Sequence, residues 1–310
     1  MTPEQILKIP ARVLSQQQRE DYFTNGYILL ERFIGDEWLK KLRDATNELV
    51  EQSKKVTKSD TIFDLEPDHT PSQPRLRRVS NPTEHHPVFW EYVSKSPMLD
   101  AVADLVGPDV KFHHSKLNFK WQKGGEEVKW HYDISFWPHT NYSPLTIGTY
   151  LYDCGMDQGP LGVIPKSHLL EPMLSQYDDH GKWVGCLSDD DVRNIHIEKA
   201  VYLTGPAGSL TLHNCRTVHG SPANQSDQGR PLLLYTLTSA DAFPYTVNPL
   251  KPKHDQAILS GKRAQFAHHD PVPCLIPPDW SGGYSSIFSL QQKEDSFLRY
   301  PEPFSKLKFA

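Results

Sequence analysis

Cysteine is scarce in this sequence, and the patterns that would give it a structural role are absent. Only four cysteines occur in 310 residues, at positions 154, 186, 215 and 274, and no C-x-x-C pair is present. This excludes a zinc ribbon or a dense disulfide scaffold and favours a reducing compartment. The chain also lacks an apolar run of about 18 residues and a basic start followed by an apolar stretch. We therefore expect a cytoplasmic protein with no membrane segment.

An excess of basic charge is missing as well. Lys and Arg number 33 against 38 Asp and Glu, which gives a net charge of −5. Nucleic-acid binding requires a basic face, so we expect a small-molecule partner and no nucleic acid, and a homodimer is compatible with the sequence. Aromatic residues are plentiful, with 7 Trp, 13 Tyr and 13 Phe, so the chain can bury a core.

The first third of the chain favours helices. Apolar residues recur every three or four positions from Asp36 to Gln52, which predicts an amphipathic helix. Shorter helices are predicted from Ser15 to Asn25, with Ser15 as N-cap and Gly26 at the end, and from Pro97 to Val106. The polar segment 53–74 contains three prolines and is long enough to be a functional loop or lid.

After Val110 the pattern changes to short β-prone runs separated by Gly, Pro, Asn and Asp turns, which is typical of a β-sandwich or barrel. The predicted strands are Tyr27–Phe33, Lys111–Trp121, Glu127–Tyr132, Leu145–Tyr152, Ala200–Leu203, Ser209–His213 and Leu232–Ser239. We expect one mainly β domain over residues 1–310. It would comprise a helical part at about 15–107, a β core at about 110–240 and a C-terminal extension at 250–310.

The segment around residue 131 carries a histidine and an aspartate in H-x-D spacing. Residues two apart in a strand point to the same face, so the imidazole of His131 and the carboxylate of Asp133 would converge. That pair suits a facial metal site if one more histidine joins it. The motif alone is weak, because a surface histidine beside an aspartate looks the same. The candidates for the third ligand are His168, His213 and His219.

His219 is favoured by the arginine that follows it eleven residues later. Arg230 opens the apolar run 231–237, and a buried guanidinium is costly unless it meets an anion. Its planar fork matches a carboxylate. No arginine follows His213 at the same distance. A metal, three ligands and a carboxylate clamp together predict a 2-His-1-carboxylate iron oxygenase with a dicarboxylate co-substrate.

From about Tyr22 to Thr238 the chain resembles the phytanoyl-CoA dioxygenase family of Fe(II)/2-oxoglutarate oxygenases, which includes ectoine hydroxylase. The resemblance includes YFTNGYILLERFI at 22–34, the H-x-D motif, and the His219…Arg230 step. It also includes GPLGVIPKSH at 159–168, which is similar to the family's G-x-L-x-x-x-P-G-S-H. Lys166 stands where the family usually has glycine, and we expect this difference to alter a turn rather than the chemistry.

The resemblance implies a double-stranded β-helix, the cupin-like jelly roll, with one Fe(II). It also implies 2-oxoglutarate and O2 as co-substrates. The implied reaction hydroxylates an unactivated C–H bond of a small metabolite and converts 2-oxoglutarate to succinate and CO2. It assigns His131, Asp133 and His219 to the iron as the catalytic residues, and Arg230 to the far carboxylate of 2-oxoglutarate.

Three further residues match the family less specifically. Ser221, two residues after His219, resembles a hydroxyl partner of the same carboxylate, although an ordinary turn residue would look alike. Asn118, thirteen residues before His131, resembles a 2-oxoglutarate contact. Trp137 falls where relatives carry an aromatic that faces the substrate. The alternative for Trp137 is core packing.

The remaining histidines have simpler interpretations. His168 would brace a loop, and the pairs at 85–86, 113–114 and 268–269 would be solvated or in loops, with 113 or 114 as candidates for the pocket mouth. Substrate choice would depend on segments 53–74 and 134–144. Two other functions stay open: a cupin-like metalloenzyme that does not use 2-oxoglutarate, and a non-catalytic binding protein of the same fold.

Overall fold

The computed structural model describes residues 1–279 and 286–291. The helices in these residues are α1 (Pro3–Leu7), α2 (Gln16–Asn25), α3 (Asp36–Ser53), α4 (Pro87–Lys95), α5 (Pro97–Val106), α6 (Asp189–Asn194) and α7 (Ile287–Gln291). The strands are β1 (Tyr27–Leu30), β2 (Phe63–Leu65), β3 (Leu76–Ser80), β4 (Val110–Asn118), β5 (Val128–His131), β6 (Leu145–Tyr150), β7 (Leu161–Val163), β8 (Val201–Leu203), β9 (Leu210–Asn214), β10 (His219–Ser221), β11 (Leu232–Ser239) and β12 (Ile258–Ser260). None of these helices combines the length and apolarity needed to cross a bilayer.

The strands form two antiparallel sheets. The large sheet has the order β1-β9-β6-β11-β4-β3-β2, with β12 added beside β4. The small sheet has the order β5-β10-β7-β8. Neighbours in each sheet are mostly distant in sequence, so the connections cross repeatedly between the sheets. The prediction of a mainly β fold with flanking helices is confirmed.

One face of the large sheet packs against the helices. On β11, Leu233, Tyr235 and Leu237 belong to the same apolar core as residues of α3, α4 and α5. The alternate residues Leu232 and Leu234 point to the other face and line a cavity between the sheets. The helices thus fix one face of the sheet, and the opposite face is available for a site.

A β-bulge in β4 decides which side chains enter that cavity. Thr236 of β11 pairs with His114 while Leu237 pairs with Phe112, so His113 is an extra residue in β4. A bulge shifts the in–out alternation by one residue. Phe112 therefore lies in the helix-side core, whereas His114 and Lys116 line the cavity.

The predicted helix ends are confirmed at α2. The Ser15 hydroxyl accepts a hydrogen bond from the Gln18 amide, and Gly26 adopts a left-handed conformation with φ 85°. A side chain at Gly26 would overlap the ring of His168. His168 Nε2 lies 3.0 Å from the Phe23 carbonyl, which confirms that it braces a loop. Lys166 has φ 64°, a conformation that glycine adopts more easily, so its replacement of glycine affects a turn as predicted.

The structure refines one expectation and corrects another. Segment 53–74, predicted as a functional loop or lid, contains β2, whose Phe63 and Leu65 enter the core. The pair His113 and His114 is not solvated, since both side chains are fully buried. Trp137 packs against both rings and His139 against that of His113, and these contacts with another segment are not revealed by the local sequence. The predicted C-terminal extension at 250–310 is described at 250–279 and 286–291, where it contains β12 and α7. Residues 280–285 and 292–310 lie outside the described residues.

Candidate metal centre

The two sheet-borne histidines of the candidate metal centre are direct neighbours. His131 ends β5, His219 begins β10, and the two residues pair across the antiparallel ladder. Asp133 follows the end of β5. Its Oδ1 lies 3.9 Å from His131 Nε2 and 3.8 Å from His219 Nε2. The three potential ligand atoms all lie within 4.8 Å of one another, and all three residues are buried.

Backbone contacts set the tautomers of both histidines. His131 Nδ1 lies 2.7 Å from the Lys129 carbonyl, and His219 Nδ1 lies 2.9 Å from the Thr217 carbonyl. Because a carbonyl only accepts, each Nδ1 carries the proton and each Nε2 keeps its lone pair toward the centre. Thr146 donates from Oγ1 to the far oxygen of Asp133 at 2.6 Å. This donor set fits a divalent iron.

The protonation states also fit a metal. Burial lowers the pKa of His131 to about 4. Burial, with the neighbouring His131 and His213, lowers the pKa of His219 well below its usual value. Burial alone would raise the pKa of Asp133, but His219, Lys116 and His213 hold it well below its usual range. Two neutral imidazoles and a carboxylate at neutral pH are the forms that bind metal.

His213 stands beside the centre in β9 and is not part of the ligand set. Its Nε2 lies 3.5 Å from Asp133 Oδ2, the oxygen that Thr146 already contacts. The ligand histidines approach Oδ1 instead. His213 can therefore orient the carboxylate from behind, which agrees with the preference for His219 as the third ligand.

The cavity at this centre encloses about 890 Å³, including the space at its open mouth. It receives residues from both sheets. The lining residues include the three candidate ligands together with Asn118, Trp137, Ser221 and Arg230, so the structure brings every predicted site residue to one cavity.

Arg230 is placed to receive a carboxylate. The backbones of Arg230 and Lys120 exchange two hydrogen bonds, which extend the pairing of β11 with β4. The Arg230 side chain is only 3% exposed, donates from Nη2 to the Gly159 carbonyl, and leaves Nε without a partner. A buried guanidinium N–H without an acceptor fits a bound carboxylate. The Oδ1 of Asn118 is also buried without a partner, but an amide oxygen only accepts and so does not itself pair with a carboxylate.

Trp137 reaches the cavity from a turn and not from a strand. β5 ends at His131, and the turn that follows is closed by a hydrogen bond from the Phe136 amide to the Asp133 carbonyl at 2.9 Å. Ser135 is buried and is not among the cavity-lining residues described. Trp137 lines the cavity and also packs 5.2 Å from the His113 ring.

Sequence reasoning missed three cationic residues of the cavity, Arg78 on β3, Lys116 on β4 and Lys120 just after β4. Arg78 pairs with Asn118 across the two strands. Strand alternation from Asn118 back to Lys116 was an available signal, since the two residues are two apart. Arg78 had no such signal, because β3 itself was not predicted.

Comparison with known proteins identifies the family. The model of the phytanoyl-CoA dioxygenase family (PhyH) matches residues 22–232, which is more than half of the chain. The chain belongs to this family. It is an Fe(II)/2-oxoglutarate-dependent dioxygenase that oxidises a small molecule, as the sequence predicts.

Individual relatives extend over most of the chain. A probable alpha-ketoglutarate-dependent hypophosphite dioxygenase of Stutzerimonas stutzeri is 28% identical over 281 residues, which cover 90% of this chain and 98% of that protein. An ectoine dioxygenase of Bordetella bronchiseptica is 25% identical over 261 residues, covering 79% and 82%. The crystal structure of EctD from S. alaskensis with bound Fe has a TM-score of 0.64 at 22% identity, covering 81% and 88%. This likeness confirms the predicted jelly-roll fold.

Proposed function

We propose that His131, Asp133 and His219 bind the iron of this dioxygenase. The observation that carries the assignment is the convergence of two Nε2 atoms and one carboxylate oxygen within 4.8 Å. Bound iron supplies the activation of O2. The chain fixes the two imidazoles through the carbonyls of Lys129 and Thr217, so the lone pairs are oriented before the metal arrives.

The same proposal places the far carboxylate of 2-oxoglutarate at Arg230. The unpartnered Nε of Arg230 supports this role, and the hydroxyl of Ser221 and the amide of Asn118 line the same cavity. The overall reaction is R–H + 2-oxoglutarate + O2 → R–OH + succinate + CO2. The protein orients both substrates and excludes water, while the cofactor carries the oxidation.

The identity of R–H does not follow from the relatives, because their names include hypophosphite, ectoine and phytanoyl-CoA dioxygenases. We therefore propose a small metabolite as the substrate. A cytoplasmic location belongs to the same proposal and is supported by the free thiols of Cys154, Cys215 and Cys274.

An anaerobic titration tests this function. Fe(II) and 2-oxoglutarate added together should give a weak visible charge-transfer band, and admission of O2 should give succinate. A 2-oxoglutarate-independent metalloenzyme would bind iron without the band. A binding protein of the same fold would form no succinate. Either result would overturn the proposal.

A further inference from the structure

Two cationic side chains face the cavity from neighbouring strands of the large sheet. Lys116 of β4 lies opposite Ser80 of β3, and Arg78 of β3 lies opposite Asn118 of β4. Lys116 pairs with Leu234 of β11, whose side chain lines the cavity, so Lys116 faces away from the helix-side core. Both cations line the cavity that contains the iron ligands, so this part of the large sheet is a basic wall.

The ammonium group of Lys116 has no direct partner among the residues that the structure describes. It makes no hydrogen bond or ion pair there, although the residue is partly buried, and it acts on Asp133 only at a distance, by helping to hold the pKa of that carboxyl low. Asp133 is the only acidic residue among the described cavity-lining residues. Its Oδ1 faces the two ligand histidines and its Oδ2 accepts from Thr146. A partly buried ammonium that lines a cavity without a direct partner is available to an anion that enters it.

Lys120 shows what a structural lysine looks like in the same cavity. Its Nζ donates to the carbonyls of Glu126 at 2.9 Å and Ser221 at 3.0 Å, and to that of Pro222. All the donors of that ammonium are therefore used by the fold. Lys116 has no such carbonyl contacts. Since Arg230 is assigned to 2-oxoglutarate, Lys116 remains for another ligand.

We propose that the substrate is a small anion whose oxyanion group, either a carboxylate or a phosphorus oxyanion, binds to Lys116 and Arg78 on this wall. The inference deepens the proposed function and rests on it. Lysine and arginine together give charge-assisted hydrogen bonds to such a group. Anchoring the anion on the basic wall presents the neighbouring X–H bond to the iron side, where X is carbon or phosphorus. That bond becomes X–OH while 2-oxoglutarate and O2 give succinate and CO2.

Anion binding can be measured without knowing the substrate. Inorganic phosphate and acetate are titrated calorimetrically into the anaerobic Fe(II)/2-oxoglutarate complex of wild type and of Lys116→Met. At least one of the two should bind to wild type. Binding of phosphate would indicate a phosphorus oxyanion as the substrate group, and binding of acetate would indicate a carboxylate. Loss of a charged hydrogen bond should weaken that binding by roughly tenfold or more in the variant. Lys116→Arg should restore most of it.

Lys40→Met is the matched control, because Lys40 is an exposed lysine on α3. It should bind anions like wild type. Absence of binding by both anions, or equal binding by wild type and Lys116→Met, would overturn the inference. A weaker affinity for 2-oxoglutarate in Lys116→Met, with anion binding unchanged, would instead assign the lysine to the co-substrate. Failure of the proposed function differs from both, since wild type itself would then show no charge-transfer band.

Turnover provides a second measurement. Hypophosphite, 2-aminoethylphosphonate and propionate are compared with neutral 1-propanol as stimulators of succinate formation by the holoenzyme. At least one anion should stimulate more strongly than 1-propanol, and Lys116→Met should raise its KM by about tenfold or more while slow succinate formation without substrate is retained. Stronger stimulation by the neutral alcohol would contradict the proposal.

Discussion

The small sheet and the large sheet contribute to the same cavity in different ways. His131 and His219 of the small sheet are neighbours on paired strands, and the backbone two residues away fixes each ring. On the large sheet, Lys116 and Arg78 also come from paired strands, but no backbone carbonyl of the described residues holds the ammonium of Lys116. Rings that the backbone fixes suit a metal. A side chain without such contacts suits a ligand that differs between relatives.

The largest effect should come from removing a metal ligand of the small sheet. His219→Ala leaves one imidazole and one carboxylate, so we expect loss of most Fe(II) binding and of turnover. The measurement is anaerobic iron binding followed by succinate formation.

His213→Ala is the informative comparison, because His213 contacts the opposite oxygen of Asp133. This variant should retain the iron. Full activity of His219→Ala, or loss of metal in His213→Ala, would reverse the assignment of the two histidines.

The next effect concerns Trp137, which follows the turn at Asp133 and lines the cavity. Trp137→Ala should bind Fe(II) and 2-oxoglutarate normally but misplace the substrate, and a shift of about 1 Å can cost on the order of 100-fold in rate. The ratio of oxidised product to succinate should fall. Wild-type coupling would identify Trp137 as core packing, and loss of iron binding would show a structural role.

On the large sheet, Arg230→Ala should weaken 2-oxoglutarate without removing iron. The far carboxylate would then lack its partner, and loss of one member of a buried charge pair costs about 2–5 kcal/mol. The apparent affinity for 2-oxoglutarate should fall by roughly 30-fold or more. Titration of succinate formation against 2-oxoglutarate gives the value. An unchanged curve would show that the small sheet alone holds the co-substrate.

The contrast between the sheets also explains what could be predicted. The H-x-D motif and the step from His219 to Arg230 are short-range patterns, so the sequence indicated residues that the structure brings to one cavity. Helix α3 and strand β11 were predicted because their apolar periodicity is strong over many residues. The three-residue strands β2, β7 and β10 were not, since they depend on partners elsewhere in the fold.

The basic wall was missed for a related reason. The shared face of Lys116 and Asn118 follows from their spacing, but the strand pairing that brings Arg78 beside them does not follow from any local pattern. Arg78 lies on a strand that was itself not predicted. Arg78 and Lys116 converge because β3 pairs with β4, and this pairing belongs to the tertiary structure.

The smallest effect should come from Thr146, a residue of the large sheet that contacts Asp133. Its hydroxyl donates to Asp133 Oδ2 at 2.6 Å and so orients the carboxylate. Thr146→Val keeps the shape and removes the donor, and outer contacts to metal ligands are worth about 10–100-fold in affinity or activity. Because His213 lies 3.5 Å from the same oxygen and can compensate in part, we expect a loss near the lower limit, about tenfold in Fe(II) affinity.

Thr149→Val on the same strand removes a buried hydrogen bond to Tyr92 that does not involve the centre, so it should lower the free energy of unfolding without changing iron affinity. Equal iron affinities in the two valine variants would show that the small sheet orients Asp133 without help from the large one.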